Sequence, residues 1–393
     1  MKRRYDVCAA VVSDLPYDAR VWKEARSLAA RGYRVALLGC RYDLAAPTRR
    51  TEDGIDVLEL PFGSRGGAVS NVARAKLLLR LWFEILRTPA RVYHVHNIHP
   101  GPVAWLASRL RGAQLVYDGH ELYGDVGQSG LPGRLGARAS GWLERFMVRR
   151  SRVVVTTNLS RAGVLSERYG RQEIEVLGNV PARCGEVEPL DPGYPPGCDV
   201  LLYQGGIYPR RAFRETVQAL RLLDGVELVI LGFGRESAIE QIRGWAAEEG
   251  VSDRVHFLPP RPFDELIRTA AAASVGLVPI KNESLNHYLG DTNKLHEYLM
   301  AGLPVVASDL PEVRRVVQEG DPPVGELFDP SSPESIAQAV RSVLEDRELY
   351  EARRREARRL ALERFNWGIE ETRLLDAYAA LVGPPSANGS SRS

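Results

Sequence analysis

Short apolar runs alternate along the chain with stretches in which apolar positions recur every three to four residues. The runs at 6–13, 34–40, 55–60, 92–96, 114–118, 152–156 and 174–178 read as buried strands. Amphipathic helices lie between several of them, as in ARVWKEARSLAARG at 19–32. Strand and helix in regular succession predict a parallel sheet covered by helices. The rhythm stops at EVEPLDPGYPPGCD, 186–199, which is dense in Pro and Gly and has no periodicity. It restarts with VLLYQGG at 200–206 and continues through VELVILG, 226–232, RVHFLP, 254–259, SVGLVP, 274–279, and PVVAS, 304–308.

The expected fold is therefore α/β: two doubly wound, Rossmann-like domains over 1–185 and 199–365, joined by a linker at 186–198. Ligands in such sheets bind beyond the carboxyl ends of the strands, so two of them predict a cleft between the domains. The segment FNWGIEETRLLDAYAALVG, 365–383, predicts a last amphipathic helix with Asn366 as its N-cap and Trp367 packed in a core. After it, PPSANGSSRS at 384–393 has the composition of a disordered tail.

Composition narrows the class. A length of 393 residues with 44% apolar and 26% charged residues fits a two-domain globular chain. No apolar run approaches the roughly 18 residues of a transmembrane helix. The start MKRRYDVCAAVVSD is basic, but Asp14 closes its apolar run, so a first strand is expected rather than a signal peptide. Cys8, Cys40, Cys184 and Cys198 lack zinc-ligand spacing and suit a reducing, cytoplasmic setting. Residues 1–185 hold 29 Lys and Arg against 17 Asp and Glu, a net +12, and the remainder nets −10. The first half should attract anions or an anionic surface, or else its arginines simply solvate helices.

Several strand ends carry residue types suited to a diphosphate. YQGGIYPRRAF ends a strand in Gly205-Gly206 and opens a helix near Arg210 and Arg211, and LGFGRES repeats the logic with Gly232 and Gly234. Glycine lets backbone amides approach a phosphate, and arginine chelates two of its oxygens. In LGDTNKLHEYLMAGLPVVAS, Asp291, Thr292 and Asn293 are N-cap candidates, which puts Lys294 in the first helical turn, where the backbone dipole disfavours cations. A docked anion resolves that conflict. In YDGHELYGD, Asp118, His120, Glu121 and Asp125 follow a strand, as a catalytic or substrate-binding group does or as a structurally satisfied histidine does. His94 and His96 share a strand face, with Asn97 and His99 in the loop after it. No acidic or thiol partner stands near them in sequence, so cleft lining is expected rather than metal binding. No Asp-x-Asp occurs, so a metal-bridged diphosphate is not indicated.

In this order the segments GGIYPRRAF, VILGFGRES, RVHFLPPRPFDELIRTAAAASVGLVPI, TNKLHEYLMAGLPVVAS, LGNVP at 177–181 and the final FNW helix resemble the retaining glycosyltransferases of family 4, which have the GT-B fold. The resemblance spans nearly the whole chain. It implies a transferase that takes a sugar from a UDP- or GDP-sugar, with no cofactor or metal, and a last helix, 366–383, that crosses back to the first domain. It implies that Arg211 meets the donor diphosphate and that Glu297 meets the ribose. The backbone of Phe257, Leu258 and Pro259 would read the base, and His120 would lie beside the donor sugar. Gly290 through Lys294 complete the donor loop, and Asp18, Arg20, His96, Asn97, Asp118, Glu121 and Asn179 are assigned to the acceptor side. Three departures stand out: the usual glutamate eight residues before Glu297 is Leu289, an arginine is replaced by Gly206, and SDLPYDARVWKEA replaces a glycine-rich loop.

The acceptor is open between a lipid-linked or membrane-proximal glycan, a soluble small molecule, and none at all if the chain is a nucleotide-sugar 2-epimerase. The helices at 73–91 and 134–152 mix Arg and Lys with Trp, Phe and Leu. Either they lie on an anionic membrane, giving a peripheral position on its inner face, or they pack their apolar stripes inward. Nucleic acid is not expected as a partner, because the basic residues belong to no recognised module.

Overall fold

The computed structural model describes residues 4–63, 69–125, 131–208 and 211–384. Arg210 and the expected tail beyond Pro384 lie outside them. The chain divides into two compact units, residues 1–178 with 369–393, and residues 179–368.

Unit 1 runs β1 (Tyr5–Asp14), α1 (Ala19–Ala30), β2 (Val35–Arg41), β3 (Thr48–Glu52), β4 (Ile55–Pro61), α2 (Asn71–Arg87), β5 (Ala90–His96), α3 (Gly101–Arg111), β6 (Gln114–Gly119), α4 (Leu131–Arg150), β7 (Val153–Thr156), α5 (Leu159–Tyr169) and β8 (Glu175–Val176). Its sheet has the order β3-β4-β2-β1-β5-β6-β7-β8. All pairs are parallel except β3 with β4. That hairpin was not expected, because TRRTE is polar. Its signal is Asp53-Gly54, whose φ angles of 52° and 75° make the two-residue turn that matches strand twist. The inner strands are apolar on both faces, as parallel strands between helix layers must be.

Unit 2 runs β9 (Asp199–Gln204), α6 (Phe213–Leu220), β10 (Val226–Leu231), α7 (Glu236–Glu248), β11 (Val255–Leu258), α8 (Phe263–Ala271), β12 (Val275–Val278), α9 (Leu285–Tyr288), α10 (Asn293–Ala301), β13 (Val305–Ser308), α11 (Pro311–Val317), β14 (Gly325–Phe328), α12 (Pro333–Leu344) and α13 (Arg347–Glu363). Its wholly parallel sheet has the order β11-β10-β9-β12-β13-β14. Strand order reverses at β1/β5 in unit 1 and at β9/β12 in unit 2. Those switch points open crevices at the strand ends.

The expected boundaries need correction. Unit 1 ends at Gly178 rather than 185, and the stretch expected as a linker at 186–198 is packed within unit 2. The Leu190 amide donates to the Arg268 carbonyl at 3.0 Å, and the Tyr194 hydroxyl donates to the Thr269 carbonyl at 3.1 Å. Its prolines and glycines shape turns against α8 and do not leave it free. The last helix, α14 (Trp367–Val382), begins in unit 2, where Trp367 is buried and its amide donates to the Pro181 carbonyl. From Ile369 onward it belongs to unit 1. There Glu370 accepts from the Gly178 amide at 3.0 Å, and Tyr33 donates to the Gly383 carbonyl at 3.0 Å.

Candidate active site

In unit 2 the switch point is built from glycine and two cations. After β9 the chain turns at Gly205, and the loop after β10 runs beside it. The Gly205 amide donates to the Leu231 carbonyl at 2.9 Å, and the Ile207 amide donates to the Phe233 carbonyl at 2.8 Å. A Cβ on Gly232 would stand 1.9 Å from the Gly205 carbonyl oxygen, and one on Gly234 would stand 2.7 Å from the Ile207 Cβ. Only glycine fits these two places. Gly206 is crowded by the exposed ring of Tyr208, and its carbonyl accepts from the Tyr203 hydroxyl at 2.5 Å.

Lys294 projects into this loop from the first turn of α10. It is 7% exposed, and its ammonium lies 4.9 Å over the Tyr203 ring and 3.3 Å from the Thr292 hydroxyl, which makes no side-chain cap for α10. Among the described residues Lys294 makes no ion pair with a carboxylate. Burial first, and then the Arg211 guanidinium nearby, push its pKa down to about 7, against the opposing pull of Glu297. Lys294 and the nearby Arg211 thus bring positive charge to a helix start at which Thr292 makes no side-chain cap, an arrangement suited to an anion.

Glu297, one turn deeper, accepts from the Gln204 side chain at 2.5 Å, and the Tyr298 hydroxyl ties α10 to β9 through the Leu202 carbonyl and the Gln204 amide. Phe257 and Leu258 are half-buried at the end of β11 and Pro259 is exposed, adjoining the β10 loop through the bond from the Gly232 amide to the Leu258 carbonyl. Gly290 is buried, Asp291 and Thr292 are half-buried, and Asn293 is exposed. Leu289 is buried at the end of α9, and Asp291 lies 3.6 Å from the His296 ring. Asp291 thus faces a histidine.

In unit 1 the switch point holds a buried polar cluster. Asp18 caps α1 by accepting from the Val21 amide, so Arg20 stands in the first turn, where it is 2% exposed. Its guanidinium donates to both oxygens of Asp118, at 3.0 and 3.2 Å, and to the Leu177 carbonyl at 2.7 Å. It also lies 3.0 Å from Glu24 one turn on. Burial raises the Asp118 carboxyl, but Arg20 foremost and then His120 outweigh it and hold Asp118 well below the usual carboxylate range. Burial and the neighbouring Asp118 push Glu24 well above that range. Asp118 and Glu24, pushed in opposite directions, therefore share a single guanidinium.

His120 lies 3.1 Å from Asp118 and 3.4 Å from His96, and its own carbonyl accepts from Arg161 at 2.5 Å. Asn97 takes φ 68° at the strand end, its amide donating to the Asp118 carbonyl at 2.9 Å and its Oδ1 buried without a partner among the described residues. Glu121 is exposed. Asn179 opens unit 2, with its Oδ1 buried and unpartnered among the described residues.

The expectation that His94 and His96 have no acidic neighbour is wrong. Register pairs His96 with Asp118 across β5 and β6, and α1 supplies Glu24, so ligand atoms of Glu24, His94, His96 and Asp118 all fall within 4.8 Å of one another. Arg20 is lodged against both carboxylates and supplies the positive charge the cluster needs. Burial holds both histidine rings below their ordinary pKa, as neutral rings stacked 4.4 Å apart. His94 was expected only to line the cleft beside His96, and Glu24, Arg161 and Tyr378 were not anticipated as site residues. The Tyr378 hydroxyl, on α14, lies 2.8 Å from His94 Nδ1. No local pattern announces a contact made over that sequence distance.

The sequence profile of the glycosyl transferase 4-like domain matches residues 17–179, and that of glycosyl transferases group 1 matches residues 198–346. The chain is 28% identical over 386 residues to a D-inositol 3-phosphate glycosyltransferase of Xylanimonas cellulosilytica, covering 90% of this chain and 89% of the relative. Its fold resembles sucrose-phosphate synthase from Thermosynechococcus elongatus, with TM-score 0.75 and 18% identity over 96% of this chain and 99% of that one. It also resembles an Anabaena protein in complex with UDP and glucose, with TM-score 0.66 and 14% identity over 96% of this chain and 100% of that one.

Proposed function

This chain belongs to the family 4 glycosyltransferases, and we propose that its sugar donor is a UDP-sugar held at Lys294. As a member it is an enzyme of GT-B architecture that moves a sugar from a nucleoside-diphosphate sugar to an acceptor hydroxyl, with the retention of configuration that is consistent with family 4. The observation that carries the donor reading is the buried lysine with no carboxylate ion pair among the described residues, set against glycine turns and Arg211 at the β9/β12 switch point. The diphosphate lies across the first turn of α10, Glu297 takes the ribose hydroxyls, and the β11 end takes the base. When the glycosidic bond breaks, negative charge grows on the leaving diphosphate, and Lys294, Arg211 and the first-turn amides of α10 stabilise it there.

On the acceptor side His120, oriented by Asp118, positions the sugar or the acceptor and makes no covalent bond. These charges are the protein's own, so no metal is needed, and activity persists in EDTA. The acceptor carries phosphate, as the name of the inositol-phosphate relative suggests, and lies on a membrane surface. A thermal-shift panel of UDP, GDP, ADP and dTDP tests the donor, because a ligand raises stability in proportion to the logarithm of its concentration over Kd. UDP should give the largest shift. A larger shift with GDP overturns the base assignment, and no shift with any nucleotide overturns the site.

A further inference from the structure

The helix layer formed by α2, α3 and α4 carries an outer surface that the fold does not account for. α2 already buries Leu77, Leu81 and Ile85 as its inner stripe, yet Leu79 and Phe83 on its far side are 64% and 55% exposed. α3 shows Leu106 and Leu110 at 42% and 69%, and α4 shows Leu135 and Trp142 at 57% and 69%. Half of the large hydrophobic side chains exposed among the described residues sit on these three helices. The apolar stripes were expected either to pack inward or to lie on a membrane; α2 packs one stripe inward and leaves Leu79 and Phe83 exposed on its other side.

The three helices form one continuous layer. Strands β4, β5, β6 and β7 are linked by crossovers that advance in one direction, and right-handed crossovers put α2, α3 and α4 on the same face. α2 packs on α3, and α3 packs on α4. Aromatic rings bridge the second pair: Trp142 stacks on Phe146 at 6.2 Å, and Phe146 meets Trp105 edge-on at 5.2 Å.

Charge selects the partner. Every exposed charged side chain described on these helices is basic, Glu84 being half-buried and Glu144 buried. Arg138, Arg145 and Arg149 share the face of α4 that carries Trp142, and the Arg87 guanidinium lies 5.0 Å from the Phe83 ring centroid. A second copy of the chain would bring the same positive charge to the contact and be repelled. A surface of acidic headgroups over hydrocarbon matches both features at once, with arginines at the phosphates and leucine, phenylalanine and tryptophan between the headgroups. No described helix is long and apolar enough to cross a membrane, so the face lies on the bilayer.

We propose that the α2–α3–α4 face of unit 1 docks the enzyme on anionic lipid bilayers. This rests on the membrane-proximal acceptor proposed above and gives it a physical seat, and it does not depend on the donor reading. The test is flotation of the full chain with phosphatidylcholine vesicles and with vesicles half phosphatidylglycerol. The expected result is flotation on the anionic vesicles alone, released at high salt. Leu79→Asp with Trp142→Ser, and separately Arg145→Glu with Arg149→Glu, should each weaken partitioning at least tenfold while the thermal shift with UDP is retained. Equal flotation on neutral vesicles, none on anionic ones at low salt, or unchanged partitioning of both variants would overturn the proposal. So would sedimentation showing a dimer that these substitutions dissociate. If the chain floats as expected and no nucleotide shifts its melting, the donor reading fails and this one stands.

Discussion

Arg20 and Asp118 are 98 residues apart in the chain and form a two-point ion pair with side-chain exposures of 2% and 0%. The pair joins the first turn of α1 to the end of β6, directly under His120. Removing a buried partner strands the remaining charge, which costs about 3–5 kcal/mol. Asp118→Asn should fall near the low end of that range, because Glu24 can ionise and face Arg20 in its place. Urea unfolding measures it, and an unchanged midpoint would show that the pair contributes nothing. Asp118 is held below its ordinary range, so its contribution is present at neutral pH and is lost as pH falls through the folded pKa.

Glu24 has the opposite sign. Its folded pKa lies well above the ordinary 4.5, so between those values the folded state holds a proton that the unfolded state has released. Stability from this group therefore falls as pH rises, until Glu24 itself ionises. Glu24→Gln keeps the shape of the acid and cannot ionise. Melting temperatures of the variant and the parent should agree near pH 5 and diverge in the variant's favour towards pH 9. Parallel profiles would mean that Glu24 is ionised in the fold.

Lys294, with its pKa brought down to about 7, is partly neutral in the empty enzyme at physiological pH. A diphosphate binds the charged form, so binding takes up a proton. UDP affinity should then fall above pH 7, by at most about tenfold per pH unit. Lys294→Arg, which stays charged, should lose that slope. Calorimetry in two buffers of different ionisation enthalpy measures the proton directly, and a flat profile for the parent would contradict the assignment.

The sheet architecture was legible because parallel strands buried on both faces read as apolar runs, and each run named in the sequence lies at a strand of the structure. The exceptions were β3, which is polar, and β14, which is four residues long. The loop proposed for the donor is made of local parts that a sequence shows: glycines at strand ends, and a lysine where a helix start should not have one. The Arg20 cluster was only half legible. Asp18 and Arg20 show in a helix-start pattern and Glu24 follows Arg20 at i+4, but His94 and Tyr378 join them through sheet register and a returning helix, which no spacing encodes. The linker failed for a different reason, since Pro and Gly specify turns, and turns can be packed.

The buried lysine remains the centre of the account. Removing one preorganised donor from a charge-stabilising site costs about 10²–10³ in turnover. The most direct measurement is the UDP dissociation constant of Lys294→Ala at pH 7, alongside circular dichroism to show an intact fold. Binding should be at least tenfold weaker than the parent's, with the same spectrum. Binding within twofold of the parent in a folded variant would contradict it, and the diphosphate would have to lie elsewhere.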